Sequence, residues 1–250
     1  YLKIFYDIKV VWTVHNFSAH DYPHPWIDKF GRSILFKVTD AIIVQQKSSI
    51  IFDKKCYFIP HINYTDVYGP KISRDYALKR SLGFHDTDII FLSFGAIAPY
   101  KRNEKIIEAV EESDNVKLLI VGKGEDKYVQ TIKTSKNVVV CNKFISNEDI
   151  PKYLSIADFS IFYYDESEMT SGGLILSLSY GIPVIVRNIP AAEIVDKNCG
   201  YVFKDDIELK KIIKTLENDK SKQFNTINSV IHNNPEFISI NLRKIYESFN

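Results

Sequence analysis

The residues whose types and spacing point most directly to chemistry stand in the stretch DESEMTSGGLILSLSYGIPVIV, Asp165 to Val186. Thr170, Ser171, Gly172 and Gly173 fall where a helix begins, so backbone N–H groups lacking intrahelical partners, with two hydroxyls, face whatever precedes the helix. A diphosphate fits such a place. Leu174 and Leu178, with Ile175 and Leu176, supply the inward stripe of that helix. Gly181 stops it, and Pro183 opens an apolar run suited to a strand covered on both faces. An ordinary α/β unit with an empty helix terminus fits the same residues, so other parts of the chain have to decide.

FGAIAPYKR, Phe94 to Arg102, follows one strand and precedes a helix. Gly95 there permits close backbone approach, and Lys101 and Arg102 can project cations toward a phosphate. A solvated basic pair is the alternative, but it sits unfavourably at a helix start. VGKGE, Val121 to Glu125, is a second glycine turn and on its own a weak signal. Glu166 and Glu168 precede the Thr170 helix start, where carboxylates either bind sugar hydroxyls or partner the helix dipole. Glu193, near another helix start, has the same two readings. His15, Asn16, His20, Asp21 and His24 crowd the loop after the first strand, a place for a general base, an electrostatic helper or a sugar contact. Metal ligation by His20 and His24 would need helical spacing, which Pro23 and Pro25 oppose, so no metal is expected. His61, beside Pro60 and Asn63, is a further candidate for a sugar or acceptor contact.

Those residues need strands and helices to carry them. Strands are expected at 9–14, 41–44 and 56–59, with a helix over 27–38 between the first two. A turn-rich segment over 61–70 then reads as a linker. Further strands are expected at 89–94, 117–121, 138–141, 159–162 and 183–186. Helices at 73–81, 103–112, 126–134, 147–154, 171–180, 191–195 and 208–217 alternate with them, and a last helix follows Pro235. Such alternation predicts an α/β fold with doubly wound parallel sheets, whose ligands gather at the carboxyl ends of the strands.

Composition narrows the partners. The chain has 250 residues, 45% hydrophobic and 25% charged, with Lys+Arg 32 against Asp+Glu 31, so no basic field argues for nucleic acid. Cys56, Cys141 and Cys199 lack metal-site spacing and suit a reducing cytoplasm. No apolar run approaches the roughly 20 residues of a membrane span.

TVHN from Thr13, FGAIAPYK from Phe94, FISNEDIPKYLSIAD from Phe144, TSGGLILSLSYGIPVI from Thr170 and PAAEIV from Pro190 together resemble one family. They are similar to retaining GT-B glycosyltransferases of bacterial polysaccharide assembly. The resemblance implies two Rossmann-like lobes: a partial acceptor-side lobe over 1–62, a nucleotide-sugar-binding lobe over 63–235, and a helix over 236–250 crossing back. The first lobe is expected to be incomplete, because family members carry several strands before the histidine-bearing one. It also implies a hexosyltransferase that uses a nucleoside diphosphate sugar as co-substrate and no cofactor. The acceptor would be a glycan or a lipid-linked molecule, at the cytoplasmic face of a membrane. A homo-oligomer or a complementary subunit is a further partner the incomplete lobe admits. Lys101 matches the family's donor-phosphate lysine, Thr170 to Gly173 its diphosphate loop, and Glu168 its first donor-site glutamate, which with His15 forms the expected catalytic pair. The usual second glutamate would fall at Leu176 and the usual phosphate arginine at Ala96, so Lys143 or Arg102 is expected to compensate. A nucleotide-sugar-binding partner subunit and a sugar-nucleotide epimerase are the competing readings.

Overall fold

The computed structural model describes residues 3, 6–15, 24–49, 55–165, 170–218 and 224–249. They form two parallel sheets. The smaller has the order β1-β2-β3, built from β1 (Val11–Val14), β2 (Ala41–Val44) and β3 (Cys56–Phe58), with Trp12 opposite Ile42 and Ile43 opposite Tyr57. Helix α1 (Pro25–Val38) links β1 to β2. Proline in its first turn costs no hydrogen bond, Asp28 stands at its positive end, and the Thr39 backbone N–H and hydroxyl both close on the Leu35 carbonyl at its end.

All four residues of β2 are buried, and alternate ones serve different layers. Ile42 and Val44 pack with Val14, Trp12 and Phe36 of α1. Ile43 and Ile59 pack instead on Ile245, Ile238 and Leu242 of the last helix, which the sequence places at the other end of the chain.

The larger sheet has the order β6-β5-β4-β7-β8-β9. Its strands are β4 (Ile89–Phe94), β5 (Val116–Gly122), β6 (Val138–Asn142), β7 (Phe159–Phe162), β8 (Val184–Arg187) and β9 (Gly200–Phe203). The helices among them are α2 (Tyr76–Ser81), α3 (Asn103–Val110), α4 (Asp126–Val129), α5 (Ile150–Ser155), α6 (Gly172–Ser179) and α7 (Asp206–Asn218), with α8 (Pro235–Glu247) last. Ile89 and Phe91 face a layer with Ile106, Val110, Leu209 and Ile213, while Ile90 and Leu92 face Leu154, Ile156 and Leu176. The chain winds outward from β4 to β6 and returns to β7 on the other side of β4, so the crevice for a ligand lies beyond the carboxyl ends of β4 and β7. Among the described residues no helix is long and apolar enough to cross a membrane.

Three expectations are corrected. Strand β9 adds a sixth strand where the sequence suggested five; a Cβ on Gly200 would lie 2.0 Å from the Val184 carbonyl oxygen, so glycine alone permits this pairing. The helix expected over 126–134 stops as α-helix at Val129, and the Thr131 hydroxyl donates to the Tyr128 carbonyl at 2.7 Å, a local bond that competes with helix propagation. The segment Pro190–Ile194 is a 3-10 helix rather than an α-helix.

Candidate functional site

The loop leaving β4 turns on Gly95, whose φ of +101° is a conformation that side chains disfavour. A 3-10 turn over Pro99–Lys101 then folds the Lys101 side chain back under the loop. Its Nζ donates to the Phe94 carbonyl at 2.8 Å and lies 3.3 Å from where a Gly95 Cβ would stand. Lys101 is 6% exposed, so its ammonium is held at the strand end with most of its water removed. Arg102, left-handed at φ 49°, points elsewhere: its Nε lies 3.2 Å from Asp165 and 3.8 Å from Glu104.

Across the crevice, Ser171 caps α6 by accepting from the Leu174 backbone N–H at 3.1 Å, and its hydroxyl lies 2.7 Å from that of Tyr164. Gly172 and Gly173 carry the remaining amides of the first turn. Gly95, Lys101, Thr170, Ser171, Gly172 and Gly173 line one pocket of about 280 Å³. The structure thus gathers around one pocket six of the eight residues that the sequence assigned to the donor. Arg102 and Lys143 do not line it; the Lys143 Nζ sits 5.6 Å from the Tyr153 ring, and a hydrogen bond with the Tyr153 side chain raises its pKa.

Four tyrosines complete the pocket wall, Tyr64, Tyr68, Tyr100 and Tyr164, and sequence reasoning missed all of them. Tyr64 stacks on Tyr68 and Tyr100 on Tyr164. Their signal was positional: Tyr100 and Tyr164 follow β4 and β7, the two strands whose ends frame the crevice. Gly122 and Gly124 of the VGKGE turn have a packing role instead. A Cβ on Gly122 would lie 1.8 Å from the Gly95 carbonyl oxygen, and one on Gly124 2.4 Å from that of Ile97.

A second cleft of about 300 Å³ meets the first at Thr170 and Ser171, and residues from both lobes line it, among them Gln45, His61, Glu193 and Asn233. His15 lies at the end of β1 with Nδ1 3.1 Å from the Gln45 Oε1. His61 bonds its own Nδ1 to the Ile62 carbonyl at 2.7 Å; burial pulls its pKa below the ordinary value and the nearby His15 adds to this. Glu193 accepts from the backbone N–H groups of Lys47 and Ser48 and from the Ser48 hydroxyl, so its carboxylate is committed to tying the lobes together. Asn16, His20, Asp21, Glu166 and Glu168 lie outside the described residues. Among the described residues no cluster of three His, Cys, Asp or Glu side chains is placed to hold a metal ion.

This arrangement presents hydrogen-bond donors and one buried cation to an anion at a strand switch point, beside a polar cleft shared by two lobes. Residues 76–232 match the family model described as glycosyl transferases group 1. The chain is 27% identical over 235 residues to the chitobiosyldiphosphodolichol beta-mannosyltransferase of Debaryomyces hansenii, covering 78% of this chain and 49% of that protein. It therefore spans about half the length of this curated relative. Sucrose-phosphate synthase from Thermosynechococcus elongatus superposes with a TM-score of 0.79 at 15% identity, over 99% of this chain and 69% of the other. Anabaena HepE in complex with UDP-glucose superposes with a TM-score of 0.79 at 16% identity, over 98% and 74%. The two lobes are thus those of a GT-B fold.

Proposed function

The chain belongs to the group 1 glycosyl transferases, and from that premise we propose that it moves a hexose from a nucleoside diphosphate sugar to a glycan or lipid-linked acceptor in cell-surface polysaccharide assembly. One observation carries the reading: Lys101 and the glycine start of α6 line a single pocket where β4 and β7 diverge. In the transfer, the bond between the sugar's anomeric carbon and the diphosphate oxygen breaks, and the acceptor oxygen bonds to that carbon as its proton leaves. Charge builds on the departing diphosphate. The Lys101 ammonium and the Gly172 and Gly173 amides are already in place to receive it, and such preorganised donors stabilise a transition state without reorganising.

His15 from the first lobe and Glu168 before α6 are assigned to the sugar, and retention of configuration follows the resemblance of the α6 motif. A lipid-linked acceptor would bring the enzyme to the cytoplasmic face of a membrane. Exposed Trp26 and Phe30 on α1, beside exposed Lys29 and Lys37, support a peripheral contact there. The test is transfer of radiolabelled sugar from a panel of nucleoside diphosphate sugars to lipid-linked and free glycan acceptors, with proton NMR of the product for its anomeric configuration. Binding of a donor without transfer or hydrolysis would leave the chain a binding subunit.

A further inference from the structure

Tyr64 belongs to the segment that joins the two sheets, yet it is fastened to the larger one. Its backbone N–H donates to the Ser179 hydroxyl at 3.0 Å, at the carboxyl end of α6. Its own hydroxyl reaches the other end of that helix, where a Cβ on Gly172 would lie 3.2 Å from it. The side chain therefore runs along the face of α6 that carries positions 172, 176 and 179, and Tyr64 and Leu176 both line the pocket. The placement is held from several sides. Asn63 donates through its side chain to the Val230 carbonyl and through its backbone to that of Asn233, and the Tyr64 ring stacks on Tyr68 at 5.9 Å and 19°.

Among the described residues the Tyr64 hydroxyl meets no hydrogen-bond partner. A ring that served packing alone would do as well without the oxygen. Instead the oxygen stands beside the first amides of α6, in the same pocket as the Lys101 ammonium, where an anion would meet several donors together. Burial raises the phenol's pKa, which keeps its proton on and makes it a donor as well. Gly172 leaves the space in which the hydroxyl sits.

We propose that Tyr64 is a donor-binding residue whose O–H gives a hydrogen bond to the diphosphate at the start of α6. This rests on the reading of that pocket given under Proposed function. It accounts for a tyrosine on the connecting segment reaching to the start of α6 in a pocket built mostly from the larger lobe.

Calorimetric titration of UDP and GDP into the full chain and into Tyr64→Phe, Tyr76→Phe and Lys101→Ala tests it. Tyr64→Phe is expected to weaken whichever diphosphate binds by about tenfold or more, the scale of a hydrogen bond to a charged group, with its melting temperature within a degree or two of the parent. Tyr76→Phe, an exposed tyrosine at the start of α2 and outside the pocket, is expected to bind as the parent does. Unchanged affinity in Tyr64→Phe alongside lost affinity in Lys101→Ala would overturn the role of Tyr64 and leave the pocket standing. Equal weakening in Tyr64→Phe and Tyr76→Phe would overturn it too, since the loss would then not belong to the pocket. No binding of either nucleotide to the parent chain would overturn the pocket reading and Tyr64 with it.

Discussion

Glu193 and Ser48, 145 positions apart, are bonded twice: the carboxylate accepts from the Ser48 backbone N–H at 3.0 Å and from its hydroxyl at 2.6 Å. Together with the Lys47 N–H, this caps the short 3-10 turn Lys47–Ser49 of the smaller lobe with a side chain of the larger one. Lys47 and Glu193 also line the shared cleft.

Burial pushes the Glu193 carboxyl up, but the bonds from Ser48 and Lys47 outweigh it and hold its pKa below the ordinary glutamate value. A depressed carboxylate pKa stabilises the fold above the unfolded value and loses that contribution as pH falls through the folded one. Glu193→Gln is therefore expected to lower stability by about 0.5–2 kcal/mol at pH 7, as loss of a cap does. The difference should shrink as the pH is taken below about 4, near the reference glutamate value. Melting curves of both proteins at the two pH values check it, and an equal gap at both would show that the charge is not what matters.

Lys101→Ala is expected to weaken nucleoside diphosphate binding by about 1.5–3 kcal/mol, the worth of a hydrogen bond to a charged group. Calorimetry decides, and unchanged affinity would remove Lys101 from the site.

Replacing His15 or Glu168 should suppress sugar transfer while leaving diphosphate affinity nearly intact, because neither is assigned to the phosphates. Parallel transfer and binding assays separate the two effects. A parallel loss of binding would put these residues in a different role.

Two glycines should respond in opposite directions. Gly122, with φ of +150° and the Gly95 carbonyl oxygen 1.8 Å from any added Cβ, has no room, and Gly122→Ala should cost more than about 4 kcal/mol or prevent folding. Gly31 lies inside α1 with nothing within 4 Å of an added Cβ, so Gly31→Ala should stabilise by about 0.5–1 kcal/mol. Thermal melts rank the two against the parent.

Residues 63–234 carry the six-stranded sheet and both of its helical layers, and should melt cooperatively as a fragment. Residues 1–60 should not, because the layer beneath Ile43 and Ile59 is supplied by Ile238, Leu242 and Ile245 of α8. Circular dichroism of both fragments distinguishes them. A cooperative transition in the shorter one would show that its own residues suffice as a core.

The alternation of strand and helix, and with it the parallel α/β architecture, was legible in the sequence, because the period of apolar residues and the glycine and proline breaks are local properties. So were Gly95, Lys101 and the Thr170–Gly173 helix start, each marked by its place at the end of a strand. The rest depended on contacts between distant segments. Strand β9 exists because Gly200 lets it lie against Val184, Arg102 turns to Asp165 rather than to the pocket, and Glu193 answers Ser48 in the other lobe. Tyr64 gave no local signal, since its hydroxyl finds its place, 3.2 Å from where a Gly172 Cβ would be, at a helix start more than 100 positions away. Local periodicity determined which elements form and which strand ends carry polar groups. Only the packing of the two lobes and their connecting segment decided which of those groups share a pocket, because that choice depends on distances no local spacing encodes.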